Sequence, residues 1–475
     1  MGTRIYALTD SHQEARNLAG ILSGIEGFEK TMNTPFLVLD CGDLFKGIYD
    51  KDLCVNTYIK FKKQNPLANI IITIGNNDFG FDIKNFEYYK SVVKKLGHAG
   101  IDVVCGNLVP SDICQKYKII NINNSKILVT GFCLPTSVTK NFGYEFKNSY
   151  EALKNIKENL KENYDKLIVL NHHWYPYSKE LKEISEKNGM TIDLIIGGHE
   201  HSPIQPDFEN NIFYPLAFAK SLYTMELDNK IKNIKEYPVD KFKVSPQLEA
   251  PIIKYENETN LHTPIAKRVL NLVKRYSEPC ALGTFISDNM KKIAKTQIAF
   301  HSTGFTMYHL KTEESNVITN YDFKRVICAS TPIVKIEIST VELKKVFENA
   351  TLKRMYKNNG NSRFLQCSGN IKITGLGDEI SKSYQIIQIE IDGEELLDSQ
   401  GKPIDPNRKF SCAIDAFIAS GEQGFDLLKN LKQVPVLDAE GNKIQLNNLL
   451  FNSLKQAQSE YPPNTQYPAF KIIDL

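Results

Sequence analysis

The first half of the chain alternates short apolar runs with longer stretches whose apolar side chains recur every three or four positions. Runs rich in β-branched residues predict buried strands, and the longer stretches predict amphipathic helices. The strands fall at Ile5 to Leu8, Phe36 to Leu39, Asn69 to Ile74, Asp102 to Cys105, Lys126 to Phe132, Lys166 to Leu170 and Asp193 to Ile196. Helical spacing covers Asn17 to Ile25, Leu53 to Lys63, Tyr88 to Leu96 and Tyr150 to Glu162, and Ile212 to Leu227 reads as a finishing hairpin. Strands that alternate with helices define a layered α/β domain.

The pattern then loosens between Lys235 and Thr263, where Pro238, Pro246 and Pro251 predict a linker, with Pro264 just beyond. Pro264 to Tyr276 reads as a connecting helix, with Thr263 as N-cap and Pro264 in its first turn. A second unit follows, with helices at Thr284 to Ala294 and Thr340 to Asn349. Its strands lie near Gln297 to Phe300, Val334 to Ile338, Ile371 to Ile373, Tyr384 to Ile391 and Phe410 to Ile414, an α+β mixture. The expected domains are 1–235, a linker and connecting helix over 236–276, and 277–475.

Composition narrows this picture only slightly. A length of 475 residues exceeds one core. The net charge of +3 with scattered lysines offers no basic arm for nucleic acid. Nine cysteines without a C-x-x-C pair, several in apolar runs (Cys105, Cys133, Cys328, Cys412), fit a reducing compartment. No segment approaches the run of about 18 apolar residues that a membrane span needs. The first strand begins almost at once, without a signal peptide, so the expected location is cytoplasmic. Oligomeric state is not legible.

The chemistry gathers at strand ends. Five strands finish in Asp10-Ser11-His12, in Gly42-Asp43, in Gly75-Asn76-Asn77-Asp78, in His172-His173 and in Gly198-His199-Glu200-His201. Each places a hard oxygen or an imidazole just past a carboxyl edge, where sites form in open α/β sheets. Carboxylate, amide oxygen and imidazole together suit Mn²⁺, Fe²⁺ or Zn²⁺.

That order, D-x-H, G-D, G-N-x-D, H and G-H-x-H, resembles the calcineurin-like metallophosphoesterase superfamily. Past the linker, Arg363 to Gly369 (RFLQCSG) and Ala416 to Gly421 (AFIASG) resemble the C-terminal substrate-binding domain of the 5′-nucleotidase family. The resemblance implies a four-layer αββα sandwich followed by the α+β domain. It implies two divalent ions, one on Asp10, His12 and His201, the other on Asn76, His172 and His199, with Asp43 bridging. It further implies Phe364 and Phe417 as the rings that sandwich a nucleobase, with buried core phenylalanine as the lesser alternative.

Three departures qualify it. The family's G-N-H-[DE]-x-D reads Asn77 and Gly80 at its histidine and final aspartate, and Asn77 cannot transfer a proton. Asp82 lies close enough in sequence to compensate. The N-x-G-G-x-R loop reads His301 to Thr306, without its asparagine and arginine, and the acid that grips ribose is Gln423, with Glu422 adjacent. The expected function is a metal-dependent hydrolase of a small nucleotide-like phosphomonoester or phosphodiester, with weakened or altered specificity; Asn77 and Asp43 are its catalytic residues. The alternative is a catalytically degenerate nucleotide-binding or sensor protein of the same fold.

Overall fold

The computed structural model describes residues 2–80, 83–135, 137–140, 142–267, 270–275, 278–310, 315–327, 331–351, 364–378, 383–457 and 470–474. The chain divides into two units, Met1–Thr259 and Asn260–Leu475.

In the first unit two sheets lie face to face. One runs Ile231–Pro238, Ser221–Leu227, Thr3–Leu8, Phe36–Asp40, Ala68–Thr73, Ile101–Val104, and its last four strands are parallel. The other runs Ile212–Phe213, Leu194–Gly198, Lys166–His172, Ser125–Cys133, Tyr117–Ile122. Ile5, Leu37, Leu39 and Ile71 of the first pack on Val129, Ile168, Leu170 and Ile196 of the second. Strands buried on both faces must be apolar throughout; hence the continuous runs in the sequence. Helices Ser149–Asn159 and Tyr175–Lys187 cover the second sheet through Leu153, Ile156 and Leu181. On the far side of the first sheet, Tyr6 stacks on Phe28 of Ala15–Glu29, and Tyr58 of Lys51–Gln64 donates to Asp40. The result is four layers, helix, sheet, sheet, helix.

Three expectations change. The stretch read as linker contains the helix Pro246–Glu258, whose Leu248, Ile252 and Glu256 form a buried stripe at intervals of one turn. Arg16 and Tyr49 both bind the Glu256 carboxylate, tying that helix to its unit. Proline content masked this periodicity, because Pro246 sits in the first turn where it removes no helical bond. Second, Pro264–Lys267 is a strand paired with Val317–Thr319, not the start of a helix; cross-strand pairing outweighed the capping signal, and Tyr276 lies outside the described residues. Third, no hairpin spans Ile212 to Leu227. Ile212–Phe213 joins the second sheet and Ser221–Leu227 the first, where it pairs with Ile231–Pro238. Between them Phe218 and Ala219 adopt left-handed backbone, φ 67° and 48°, as the chain changes sheets.

The second unit is α+β. A five-stranded sheet, Leu365–Cys367, Ile298–Ser302, Lys409–Asp415, Ile333–Ser339, Val434–Pro435, packs helices Ala281–Ala294 and Leu446–Gln456 on one face and Thr340–Thr351 on the other. A four-stranded sheet built around Ile371–Asp378 and Ser383–Ile391 completes it.

Candidate metal centre

The ligand-type residues of the first unit leave their strands through strained turns. Asp10, His12, Asp43 and His199 all have left-handed backbone, with φ of 47°, 45°, 55° and 75°. Non-glycine residues hold such angles only where surrounding structure enforces them, and they cluster at functional sites. Neighbouring glycines make room. A Cβ on Gly75 would lie 2.1 Å from Asp43 Oδ1, and one on Gly198 would lie 2.8 Å from His172 Nδ1.

Two groups of side chains converge there: Asp10, His12 and His201, and Asp43, His172 and His199. In the first, His12 Nε2 lies 3.0 Å from His201 Nε2 and 3.7 Å from Asp10 Oδ1. His12 Nδ1 donates to the Phe45 carbonyl at 3.0 Å, which leaves Nε2 as a lone pair facing the group. In the second, His172 Nδ1 donates to the Cys41 carbonyl at 2.6 Å, and Nε2 lies 3.2 Å from Asn76 Oδ1. Asp43 Oδ2 stands between the two groups, 3.5 Å from His12 Nε2 and 3.4 Å from His172 Nε2. Carbonyl acceptors that fix the tautomer and orientation of imidazoles in this way are the usual outer support of metal-binding histidines.

The electrostatics have the same sense. Burial disfavours charge on Asp10 and Asp43, but the facing imidazoles outweigh it and hold both carboxyls below their ordinary range. Burial also opposes a proton on His172, yet the Asp43 carboxylate draws one on and raises its pKa to about 10. His12, by contrast, is pushed down to about 4, chiefly by burial. Imidazole nitrogens thus face carboxylates and one another at a largely buried site, and the buried His199 Nε2 has no hydrogen-bond partner. A divalent cation at each group would satisfy these atoms, and the donor sets fit such ions.

Around this core stand further residues, of which Phe218 and Trp174 carried no signal in the sequence and Asp78 and Glu200 had been given no role. Buried Asp78 accepts from the backbone N–H groups of Gly75, Asp43 and Phe45, so one carboxylate pins two of the ligand-bearing loops. Phe218 packs on both His12 and His201, and Trp174 meets the His199 ring edge-on at 4.1 Å. Glu200 accepts from Tyr175 N–H, and burial raises its pKa to about 7. Asn77 donates its backbone N–H to Asp43 Oδ1 at 2.8 Å and its amide to Oδ2 at 2.6 Å, while its own Oδ1 accepts from Lys46 Nζ at 3.1 Å. Acid-rich neighbours of a ligand motif were the available signal, but only contacts distinguish a clamp from a surface side chain. His173 turns away, its Nδ1 accepting from Trp174 N–H. Asp82 lies outside the described residues.

The pocket residues expected in the second unit do not all come together. His301 is fully buried and donates to Gly283 O from Nε2 at 3.3 Å, and burial lowers its pKa to about 4. Phe364 is 1% exposed, a core side chain. Phe417 is half-buried and meets Phe305 edge to face at 5.5 Å. Gln423, at φ 58°, accepts from the Ser302 hydroxyl at 2.9 Å. The ring that meets Phe417 is that of Phe305, inside the loop that lost its arginine. Arg363 and Cys328 lie outside the described residues.

A paired-sheet sandwich with metal-type ligands on the carboxyl ends of both sheets is the architecture of a metallophosphoesterase, and family models agree. The calcineurin-like phosphoesterase model matches residues 3–203, and that of the 5′-nucleotidase C-terminal domain matches residues 258–430. The first unit is thus similar to the calcineurin-like phosphoesterases and the second to the C-terminal domain of 5′-nucleotidases. An apyrase of Aedes aegypti is 22% identical over 447 residues, covering 83% of this chain and 76% of that protein. The fold is that of the 5′-nucleotidase precursor from Thermus thermophilus, TM-score 0.76 at 18% identity over 100% of this chain and 99% of that one. A 5′-nucleotidase from Candida albicans gives 0.67 at 15% identity, over 96% of this chain and 98% of that one.

Proposed function

We propose that this chain is a dinuclear-metal phosphoesterase acting on a small nucleotide-like phosphomonoester or phosphodiester. The observation that carries the reading is the placement of Asp43 Oδ2, within 3.5 Å of an imidazole from each group. Asp10, His12 and His201 would hold one ion, Asn76, His172 and His199 the other, with Asp43 shared. Ions so held polarise a phosphoryl group and lower the pKa of bound water. The chain itself does the rest. Phe45 and Cys41 carbonyls orient His12 and His172, Asp78 fixes the loops, and the aromatic wall of Phe218 and Trp174 limits solvent. Phe417 and Phe305 offer ring faces and edges to a base, and the Ser302–Gln423 pair offers hydrogen bonds to a sugar. The eight free cysteines among the described residues support work in a reducing compartment.

Asn77 favours a second reading, that of a binding or sensing protein. Both ends of its amide are engaged and neither end transfers a proton, so a step that loses a positioned acid slows by about 10²–10⁴. Hydrolysis of nucleotides, cyclic nucleotides, nucleotide sugars and aryl phosphoesters with added Mn²⁺ separates the two. The enzyme reading requires turnover that Asp43→Asn lowers by about 10²-fold or more. Two ions bound per chain with no turnover of any ester leaves the sensor.

A further inference from the structure

Lys46 follows the Asp43 turn and has no role in holding ions, yet three observations set it at the centre. Its backbone is left-handed, φ 70°, an unfavourable conformation for lysine. The next residue, Gly47, passes so close that a Cβ there would meet His12 O at 1.6 Å, which pins the turn against the first group. The ammonium donates to Asn77 Oδ1 at 3.1 Å, and the same amide donates to Asp43 Oδ2.

Charge count then decides what the ammonium faces. Two divalent ions bring twice the charge that Asp10 and Asp43 carry, and Asn76 and the imidazoles are neutral as ligands. A lysine beside such a centre adds to the positive field that favours a multiply charged anion. We propose that Lys46 binds a phosphoryl oxygen of the substrate, supplying the positive charge absent at position 77 and selecting phosphomonoester dianions over diester monoanions. This deepens the phosphoesterase reading and rests on it for the identity of the anion. Lys46 itself transfers no proton: the ammonium holds a non-bridging oxygen by a charge-assisted hydrogen bond while water bonds to phosphorus and gives up a proton to solvent, and the ester oxygen departs with the bonding pair and takes a proton from solvent.

The test titrates Mn²⁺-loaded full-length protein with inorganic phosphate and with dimethyl phosphate by calorimetry at pH 8. Lys46→Gln keeps a donor for Asn77 and removes the charge; Lys46→Met removes both; Lys46→Arg restores the charge. We expect phosphate affinity to fall about 10-fold or more in the Gln and Met variants, dimethyl phosphate to change far less, and Arg to recover most of the loss. Metal stoichiometry measured alongside shows whether each variant keeps its centre. Phosphate affinity unchanged in Lys46→Gln with two ions bound overturns the proposal, even if the wild type hydrolyses esters. Lys46-dependent phosphate binding in a wild type that hydrolyses none upholds it and sinks the phosphoesterase reading instead.

Discussion

Single residues in this protein do work that their type alone does not announce. Asp415 is fully buried at the end of Lys409–Asp415, where it accepts from the backbone N–H groups of Ile418 and Ser302. Burial raises its pKa from 3.8 to about 6 against the pull of those donors. A carboxyl raised on folding favours the folded state while protonated, so its contribution is full below about pH 4 and is lost as pH rises through about 6. Denaturant unfolding between pH 4 and 7 should show the second unit losing up to about 3 kcal/mol across that window. Asp415→Asn should flatten the slope, and an unchanged slope would assign it to other groups. The same contrast separates His301 from His172. Both are buried histidines at strand ends, but one turns to a carbonyl of a helix start and the other to a carboxylate and an amide oxygen. Spacing cannot tell them apart; the identity of the facing atom can.

At the scale of elements, strand ends were legible because a parallel strand buried on both faces leaves an unbroken apolar run, and the residue after it is conspicuous. All seven expected ligands, Asp10, His12, Asp43, Asn76, His172, His199 and His201, lie together for that reason. Elements whose signal is mixed were less legible. The helix Pro246–Glu258 hid beneath its prolines, and the crossing from Ile212–Phe213 to Ser221–Leu227 depends on two left-handed residues that no propensity foretells. The loop His301 to Thr306 was least legible, because its side chains find their partners far along the chain, Phe305 on Phe417 and Ser302 on Gln423. The end of Leu194–Gly198 gives a prediction at this scale. Gly198 lies opposite His172 in the sheet, and a Cβ would meet Thr9 Oγ1 at 2.5 Å as well as the imidazole. Gly198→Ala should weaken Mn²⁺ binding by about 10–100-fold with little change in circular dichroism. Unaltered affinity would mean that the ring has room to move.

At the scale of the molecule, each unit carries its own core, and among the described residues both groups of metal-type ligands fall in the first. Residues 1–259 expressed alone should therefore bind the same number of Mn²⁺ ions as the full chain, read by calorimetry and elemental analysis; a fragment that folds but binds none would place a ligand beyond Thr259. Within that unit Asp10, Asp43 and Asn76 come from one sheet, while His172, His199 and His201 come from the other. An ion held by either group joins both layers. In mechanical terms, bound ions would rivet the sandwich along one edge, at the carboxyl ends of its strands, while at other places ties such as Lys118 to Asp102 and Lys166 to the Asn229 carbonyl reinforce the hydrophobic seam.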